Sequence, residues 1–412
     1  MTTIATPRSL SDSEALDRAA AVIATPRVEE GDSFVLHAPL DVLARSALLS
    51  LAPPESREGI RDRIASVAQI YNDWGTAIER EPDSSESLTR DAGSVLVRAL
   101  EAGDLDAIDD AITWLTGRLD TNELVATLAS PVLPSLAAAA HGPILLHLLP
   151  RVAARSLPAA AMARTTLHEL GRHPDWTLTW FSATDPNQRA ATDPVGWDQA
   201  TLGAELVRRL TKPRLTQRPE NNFIYPTMSA TEQSGLAAET LADLTPHLTA
   251  ATARNHLLRV AAHSMLQDDP NHAPYGWSHC LTMPQAALGI AHAAHDPSVA
   301  IATAATYVLG FRATLGATAL APNHVPEPTD IAPVDLVSSE PEQAAAAAWH
   351  APIDRHPVIW RTLAGHAGAH HDAHLAKYTL ACLDAARSDP DHHDLYRAAA
   401  TYLNAWWNQP HT

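Results

Sequence analysis

The segment SREGIRDRIASVAQIYNDW, residues 56–74, decides the fold class. Its apolar side chains recur every three or four residues, at Ile60, Ile64, Val67 and Ile70. This spacing places them on one face of an α-helix, whereas a half-buried strand would alternate apolar and polar residues. We therefore predict an amphipathic helix that turns this apolar stripe toward the core.

The same helical period runs through most of the chain. It appears in five further segments: 202–210 after the start signal Asp198, 229–244, 250–266, 298–315 and 372–387. Alanine, leucine and arginine, which are good helix formers, dominate the composition. We therefore predict an all-α multi-helix bundle, and we expect the alanine run 344–348 to lie in a close-packed helix.

Proline is expected to separate the helices, because it lacks the backbone N–H that a helix interior needs. Three long stretches lack the helical period and are predicted as Pro-rich loops: 182–197, 212–227 and 321–342. Loops of this length are often lids or binding loops. We predict one all-α domain over residues 1–412; the alternative is two packed helical lobes, 1–211 and 228–412, joined by the loop 212–227.

Composition excludes several classes of partner and site. The net charge is −18 and no long basic run occurs, which argues against binding to nucleic acid. Cys280 and Cys382 are the only cysteines, so a disulfide framework or a thiolate metal site is not expected. Residues 1–27 lack the layout of a signal peptide, and no uninterrupted apolar stretch reaches about 18 residues. We therefore expect a soluble cytoplasmic protein with no membrane partner.

Lys377 is unusual because 27 of the 29 basic residues are arginine. Unlike arginine, a buried lysine readily loses its proton, and the neutral amine can act as a nucleophile or capture carbon dioxide as a carbamate. Asp372 is a good helix N-cap, which puts His374 and Lys377 three residues apart on one helix. The pair suggests a metal site. The alternative is that Lys377 extends its ammonium group from a helix edge into water.

Several of the 22 histidines lie in apolar surroundings. His37 precedes an apolar run, where its ring either points into the bundle or lies beside an N-cap. His141 and His147 occur in the apolar segment AHGPILLHLLP, and an unpaired buried ring costs roughly 1–3 kcal/mol, so each needs a hydrogen bond or a metal. Six residues apart on a helix, both cannot face one ion. We assign His141 to the metal and His147 to substrate contact.

The segment 267–288 is a polar and aromatic loop that runs into a helix, with His279 at the entry. Tyr275 and Trp277 either line a pocket for a flat apolar ligand or fill the core. Several imidazoles with one anionic oxygen ligand suit iron, zinc, copper or nickel, whereas magnesium or calcium would need carboxylate clusters. A redox-active iron with an open position would suit oxygen activation.

Four short motifs follow one another along the chain: HAPL at 37–40, HGPI at 141–144, HCLT at 279–282 followed by AAL at 286–288, and DAHLAK at 372–377. In these motifs the chain resembles a divergent member of the questin oxidase-like family, helical proteins that include oxidases and ring-cleaving oxygenases of fungal anthraquinones. It departs from the family in three places. Leu36 stands where asparagine is usual, the histidine expected soon after His141 is missing, and the glycine expected after Thr282 is missing.

The resemblance implies a non-heme iron oxygenase or oxidase of secondary metabolism, of the Baeyer–Villiger or ring-cleaving type. It implies Fe(II), or another transition metal, held at the matching positions: His37, His141, His279, His374 and carboxylated Lys377. Lys377 and His279 would take part in catalysis, and the partners would be dioxygen and an aromatic or polycyclic small molecule. NADPH would be the reductant, as for some family members, although no GxGxxG motif follows a strand here.

Two alternatives from other classes remain open at this point. A metal-dependent phosphohydrolase is suggested by the His-Asp dipeptides at 295–296, 371–372 and 393–394, since such an enzyme activates water on its metal. A helical interaction protein without catalytic activity would instead have histidines that are hydrogen-bonded in the core. The first predicts a bound metal without oxygen consumption, and the second predicts no stoichiometric metal.

Overall fold

The structure, a computed structural model, describes residues 10–80, 92–153, 158–182, 196–217, 219–329 and 335–410. Over these ranges the chain forms eighteen α-helices and no β-sheet, so the all-α prediction is confirmed. One cluster of contacting, buried apolar side chains takes in residues from every one of these helices.

The helices, numbered in chain order, are α1 Asp12–Ile23, α2 Ser33–Leu49, α3 Arg57–Asp73, α4 Ala92–Ala102, α5 Leu105–Thr116, α6 Thr121–Val132, α7 Gly142–Ala153, α8 Ala163–Gly171, α9 Gln199–Leu210, α10 Ile224–Gln233, α11 Leu236–Leu241, α12 Ala250–Gln267, α13 Ser278–Gly289, α14 Pro297–Leu315, α15 Pro341–Trp349, α16 His356–Ala369, α17 Ala373–Ser388 and α18 His393–Asn408. Short 3₁₀ turns join many of them, and a π-helical turn, Ala273–Trp277, leads into α13.

Helix α3 contains the apolar stripe predicted in the segment 56–74, and one of its predicted core positions is wrong. Ile60, Ile64 and Val67 are buried, but the Ile70 side chain is 43% exposed. Tyr71 is buried in its place, because residue 71 lies about three full turns after Ile60 and so on the same side of the helix, whereas residue 70 is rotated away by about 80°. The Tyr71 hydroxyl donates a hydrogen bond to the Thr25 carbonyl oxygen over 2.8 Å, which satisfies its polar end.

Glycine and proline account for two further corrections. The segment 229–244 was expected to be one helix, but Gly235 adopts a left-handed φ of 80° and separates α10 from α11. Prolines do not only separate helices, since four of them lie beyond the first turn of a described helix: Pro39, Pro131, Pro150 and Pro284. Proline at such positions removes a helix hydrogen bond, so tertiary packing has overridden the local preference against it.

The predicted loops are placed in part. The loop 212–227 is shorter than expected because α10 begins at Ile224. The alanine run 344–348 lies in α15, as predicted. Most of the loop 182–197, together with residues 330–334 of the loop 321–342, falls outside the described residues.

Helix α14 is the one described helix with the length and composition to cross a membrane. Within it, 83% of the apolar window is buried inside the fold. Its apolar side chains therefore contact neighbouring helices and contribute to the core.

Four helices enclose the candidate site. Helix α2 packs against α7 and α17, and α13 packs against the same two helices. The four thus form a closed ring in which each helix contacts two others. Side chains that point inward from all four can meet at the centre of this ring.

A buried guanidinium group fixes one side of the ring. Arg45 of α2 is fully buried and donates to the Asp41 carboxylate over 2.6 Å and 3.2 Å. It also donates to the carbonyl oxygens of Gly368 over 2.5 Å and His370 over 2.6 Å, at the end of α16. These carbonyls have no partner within their own helix, so Arg45 both caps α16 and holds the turn into α17 against α2.

We predict that Arg45→Met lowers the free energy of unfolding by about 3–5 kcal/mol, because it leaves the Asp41 carboxylate and several carbonyl oxygens buried without a partner. Urea denaturation followed by circular dichroism measures this change. The matched control is Arg61→Gln, which removes a partly exposed ion pair with Asp12 and should cost about 0.2–1 kcal/mol. Equal losses in the two variants would contradict the assigned role of Arg45.

Candidate metal centre

His37 lies in the second turn of α2 and is buried. Its Nδ1 atom is hydrogen-bonded to the carbonyl oxygen of Ser33, one turn earlier. A carbonyl oxygen can only accept, so Nδ1 carries the proton and Nε2 keeps a lone pair. Nε2 is buried and has no hydrogen-bond partner among the described residues. The side chain therefore presents an unsatisfied nitrogen donor to the interior.

His141 is positioned by an unusual backbone. It follows Ala138–Ala140, whose φ angles are 48°, 52° and 54°, and it immediately precedes α7. Left-handed backbone costs roughly 1–2 kcal/mol for each L-residue, and alanine has the smallest side chain with which a chiral residue can adopt it. Strain of this kind concentrates at functional sites. Here it brings a fully buried imidazole to the start of α7.

His279 lies at the start of α13, directly after the π-helical turn. Its Nδ1 atom is hydrogen-bonded to the carbonyl oxygen of Tyr275, so Nε2 again carries the lone pair. Single π-helical turns are rare and are frequent at functional sites. Gly276 permits this one, because a Cβ atom there would lie 2.4 Å from Leu315.

His374 and Lys377 both project from the first turns of α17. Asp372 caps this helix by accepting from the His374 backbone N–H over 2.7 Å. The same carboxylate oxygen accepts from His374 Nδ1 over 2.8 Å, which leaves Nε2 as the free nitrogen. Neither His374 Nε2 nor Lys377 Nζ has a hydrogen-bond partner within the described ranges.

The structure brings the imidazoles of His37, His141, His279 and His374 together in one cluster, which we call the four-histidine centre. The ring centroids of His37 lie 4.4 Å from those of His141 and of His374, and the His279 and His374 centroids are 4.8 Å apart. One ring nitrogen each of His37, His141 and His279 lies within 4.8 Å of the other two. The Nε2 atoms of His141 and His279 are 3.4 Å apart.

This geometry fits a transition metal. Metal–nitrogen bonds of about 2.1 Å place two ligand nitrogens roughly 3.0–4.2 Å apart, and the His141–His279 distance of 3.4 Å falls in that range. The Nε2 lone pairs of His37, His279 and His374 lie in a buried interior, where a cation between them would satisfy all three. A second hydrogen bond from Nδ1 to a carbonyl or carboxylate is the usual support of a metal-ligating histidine. A nitrogen-rich set suits iron, zinc, copper or nickel.

Burial keeps these rings neutral. It lowers the pKa of His279 to about 3 and lowers the pKa values of His37, His141 and His374 well below the ordinary value of 6.5. The charge of Lys377 lowers all four further. Neutral imidazole is the form that binds a metal.

Lys377 is 3% exposed, so the alternative in which its ammonium group extends into water is wrong. Burial lowers its pKa from 10.5 to about 7, and the carboxylates of Asp372 and Asp41 raise it only in part. At neutral pH a large fraction of the amine is therefore uncharged. An uncharged, unpartnered amine beside four imidazoles can bind a metal directly or react with carbon dioxide.

The three predicted substrate contacts lie in different environments. His147 and Lys377 line a cavity of about 20 Å³. This cavity has room for about one water molecule and is too small for an aromatic substrate. Trp277 is fully buried, and its indole N–H donates to the Asp269 carbonyl oxygen over 3.3 Å, so it fills the core. Tyr275 is 53% exposed and packs edge-on against the His374 ring at 4.9 Å.

Sequence reasoning missed two supporting groups. Asp372 was expected only to cap α17, although it also orients the His374 ring. Arg45 was not singled out, although its pairing with Asp41 four residues earlier in an apolar helix was a readable signal. Charged residues are rarely buried unless they are paired, so a charged pair at this spacing in an otherwise apolar helix indicates a buried ion pair.

The three His-Asp dipeptides lie apart. Asp296 caps α14, and Asp372 caps α17. Asp394 bonds to the buried Arg397. It also lies near His356 and His393, and these three residues form a second, partly exposed group of close ligand atoms. No dipeptide contributes both of its side chains to the four-histidine centre.

We predict a steep loss of stability on acidification of the metal-free protein. Because the folded pKa of His279 is about 3 and the ordinary value is 6.5, the unfolded chain takes up this proton first, and the free energy of unfolding falls as the pH drops from 6.5. Each such histidine contributes about 1.4 kcal/mol per pH unit. His279→Leu should flatten the slope between pH 6 and 4 by about that amount in urea denaturation.

The control for this measurement is His292→Leu, which replaces an exposed histidine and should keep the parent slope. Chelator-treated protein is used throughout, so that metal release does not add to the proton effect. An unchanged slope in His279→Leu would show that the ring is not buried in its neutral form.

Comparisons of the chain with protein-family models, with curated proteins and with solved structures gave no match.

Proposed function

We propose that this protein is a metal-dependent oxygenase or oxidase, with iron as the metal, that acts on an aromatic or polycyclic small molecule. One observation supports the proposal above all: the ring of α2, α7, α13 and α17 carries four buried imidazoles and the buried Lys377 amine, and His37 Nε2, His374 Nε2 and Lys377 Nζ have no hydrogen-bond partner among the described residues. Leaving so many polar nitrogens unpaired in a core is costly unless a ligand satisfies them.

The four motifs on which the resemblance to the questin oxidase-like family depends each supply a member of this centre. His37, His141, His279 and His374 would hold the metal, with Lys377 as the remaining ligand. When bound, iron supplies redox chemistry with dioxygen. The chain supplies a dry site and fixes three of the four rings, those of His37, His279 and His374, through Nδ1 to a carbonyl or carboxylate oxygen.

Lys377 takes up carbon dioxide in this proposal. The neutral amine attacks the carbon of dissolved CO₂, one N–C bond forms as one C=O π bond breaks and its electron pair moves to oxygen, and one proton leaves the nitrogen for water, which yields a carbamate anion. Burial favours the neutral amine that this step requires. The product places one negative charge among neutral imidazoles, which lowers the cost of holding a divalent cation there.

The substrate would approach from the side of Tyr275. The Tyr275 ring lies between His374 and Trp407, at centroid distances of 4.9 Å and 6.1 Å. Trp407 is flanked in turn by His370 at 5.1 Å and His371 at 5.7 Å. We call these four residues, Tyr275, Trp407, His370 and His371, the aromatic patch. Its partly exposed rings offer stacking faces for a flat apolar molecule next to the centre.

We predict close to one transition-metal ion per chain in protein purified without a histidine tag, measured by elemental analysis. His279→Ala and Lys377→Ala should each lose most of this metal while they keep their helical circular dichroism. Lys212→Ala is the matched control, because Lys212 is the only other lysine and is exposed. Under ¹³C-labelled CO₂, a carbamate resonance should appear in the parent and in Lys212→Ala but not in Lys377→Ala.

Metal retained at parental levels in both site variants would remove the proposed ligand set. Metal lost from His279→Ala but no carbamate resonance in the parent would leave Lys377 as an amine ligand and refute its carboxylation. A metal-free parent that keeps its fold after growth in iron-rich medium would favour the interaction-protein alternative.

Oxygen uptake tests the activity itself. Iron-loaded protein with a panel of anthraquinones and phenols should consume dioxygen well above the rate of His279→Ala. Tyr275→Ala keeps the carbonyl that holds His279 but loses the ring, so it should raise KM roughly two- to tenfold, as expected for an aromatic pair of about 0.5–1.5 kcal/mol. Phe223→Ala, at another exposed aromatic residue, should leave KM unchanged. No uptake with bound metal would instead point to hydrolytic chemistry.

A further inference from the structure

A second site lies outside the metal centre. It is a cleft of about 400 Å³ between α9, α12 and the segment 320–323. This volume is within the range of pockets that bind small molecules, and it is far larger than the 20 Å³ cavity beside Lys377. None of the residues that line it belongs to the four-histidine centre or to the aromatic patch.

The ionisable side chains that line the cleft are all nitrogen bases: Arg208, His256, Arg259, His263 and His392. No carboxylate lines it, although the chain has 47 acidic residues and only 29 lysines and arginines. A surface patch drawn at random from this composition would contain more carboxylates than lysines and arginines. The cleft therefore presents nitrogen hydrogen-bond donors and no carboxylate in a protein that is negative overall, which favours an anionic ligand.

Both arginines are held in place by carboxylates that do not line the cleft. Arg259 donates to Asp389 through Nε and Nη2, both over 2.7 Å, and Asp389 also accepts from the Tyr396 hydroxyl over 3.0 Å. Arg208 donates to Glu205 through the same two nitrogens, over 2.6 Å and 2.5 Å. In both pairs Nη1 takes no part, so each guanidinium group keeps a donor while its orientation is fixed.

The walls of the cleft are also fixed. The Gln267 side chain accepts from the Ala321 N–H over 2.9 Å and donates to its carbonyl oxygen over 3.0 Å, which anchors the segment 320–323 to the end of α12. The same amide donates to Nδ1 of the buried His263 over 3.1 Å. On the other side, the Leu320 N–H donates to the Thr211 carbonyl oxygen over 3.2 Å. A site held in this way loses little entropy when a ligand binds.

The remaining lining is apolar and includes Val207, Val260 and Leu320. Gly203 brings α9 close to this wall, since a Cβ atom there would lie 2.3 Å from the His256 ring. Fixed donors on one part of a cleft and aliphatic side chains on another match a molecule with one anionic end and one apolar end. We propose that this cleft binds a small organic anion with an apolar body, such as a carboxylate, sulfonate or phosphate monoester.

The test uses 1-anilinonaphthalene-8-sulfonate, an anionic fluorescent probe with an apolar body, and N-phenyl-1-naphthylamine, its neutral analogue. Titration of the full chain should give one saturable site for the sulfonate and binding at least tenfold weaker for the neutral analogue. Arg208→Gln, which removes an exposed donor, and Val207→Trp, which fills the cleft, should each weaken sulfonate binding at least fivefold. Arg98→Gln on α4, another exposed arginine, should leave it unchanged.

Equal affinity for the two probes, or sulfonate binding that is the same in Arg208→Gln and Val207→Trp as in the parent, would overturn the proposal. Circular dichroism and Tm of each variant show whether the fold is kept; Arg208 is exposed at the surface, so its variant remains informative if Val207→Trp fails to fold. Lys377→Ala should bind the sulfonate as the parent does, which separates this site from the metal centre.

Discussion

The hydrogen bonds of the Arg45 guanidinium join the part of the chain that carries His37 to the part that carries His374 and Lys377. One side chain satisfies a buried carboxylate and the last carbonyl groups of α16 at once. A lysine could not do this, because its ammonium group lacks the planar fork of donors. The distance between α2 and the start of α17, and with it the contact of two imidazoles of the centre, depends on this cross-link.

The centre is built at helix starts rather than in regular helix interiors. His141 follows three left-handed alanines, His279 follows a π-helical turn, and His374 follows an N-cap. Helix starts leave backbone groups unpaired, and irregular turns aim side chains where a regular helix would not. The cost of the irregular backbone is offset by the surrounding packing, so the rings are oriented before any ligand arrives.

The sequence predicts the fold class well because the helical period and the Asp198 and Asp372 caps are local signals. It also singles out the five residues that meet at the centre, through apolar context and through resemblance. It does not predict the left-handed turn at Ala138–Ala140, because alanine is a strong helix former and only tertiary packing overrides that preference. Nor does it separate the buried Trp277 from the exposed Tyr275, since both are aromatic residues of one short segment.

The four histidines are spread along almost the whole chain, and this has a consequence for biosynthesis. Contacts between residues so distant in sequence carry a high loop-closure entropy and form late in folding. While the nascent chain is still on the ribosome, α2 has no α17 to pack against, and the face around His37 is open to water. The nitrogen set is completed only after α17 has been synthesised and has docked against α2, so a metal bound as proposed would bind after this step.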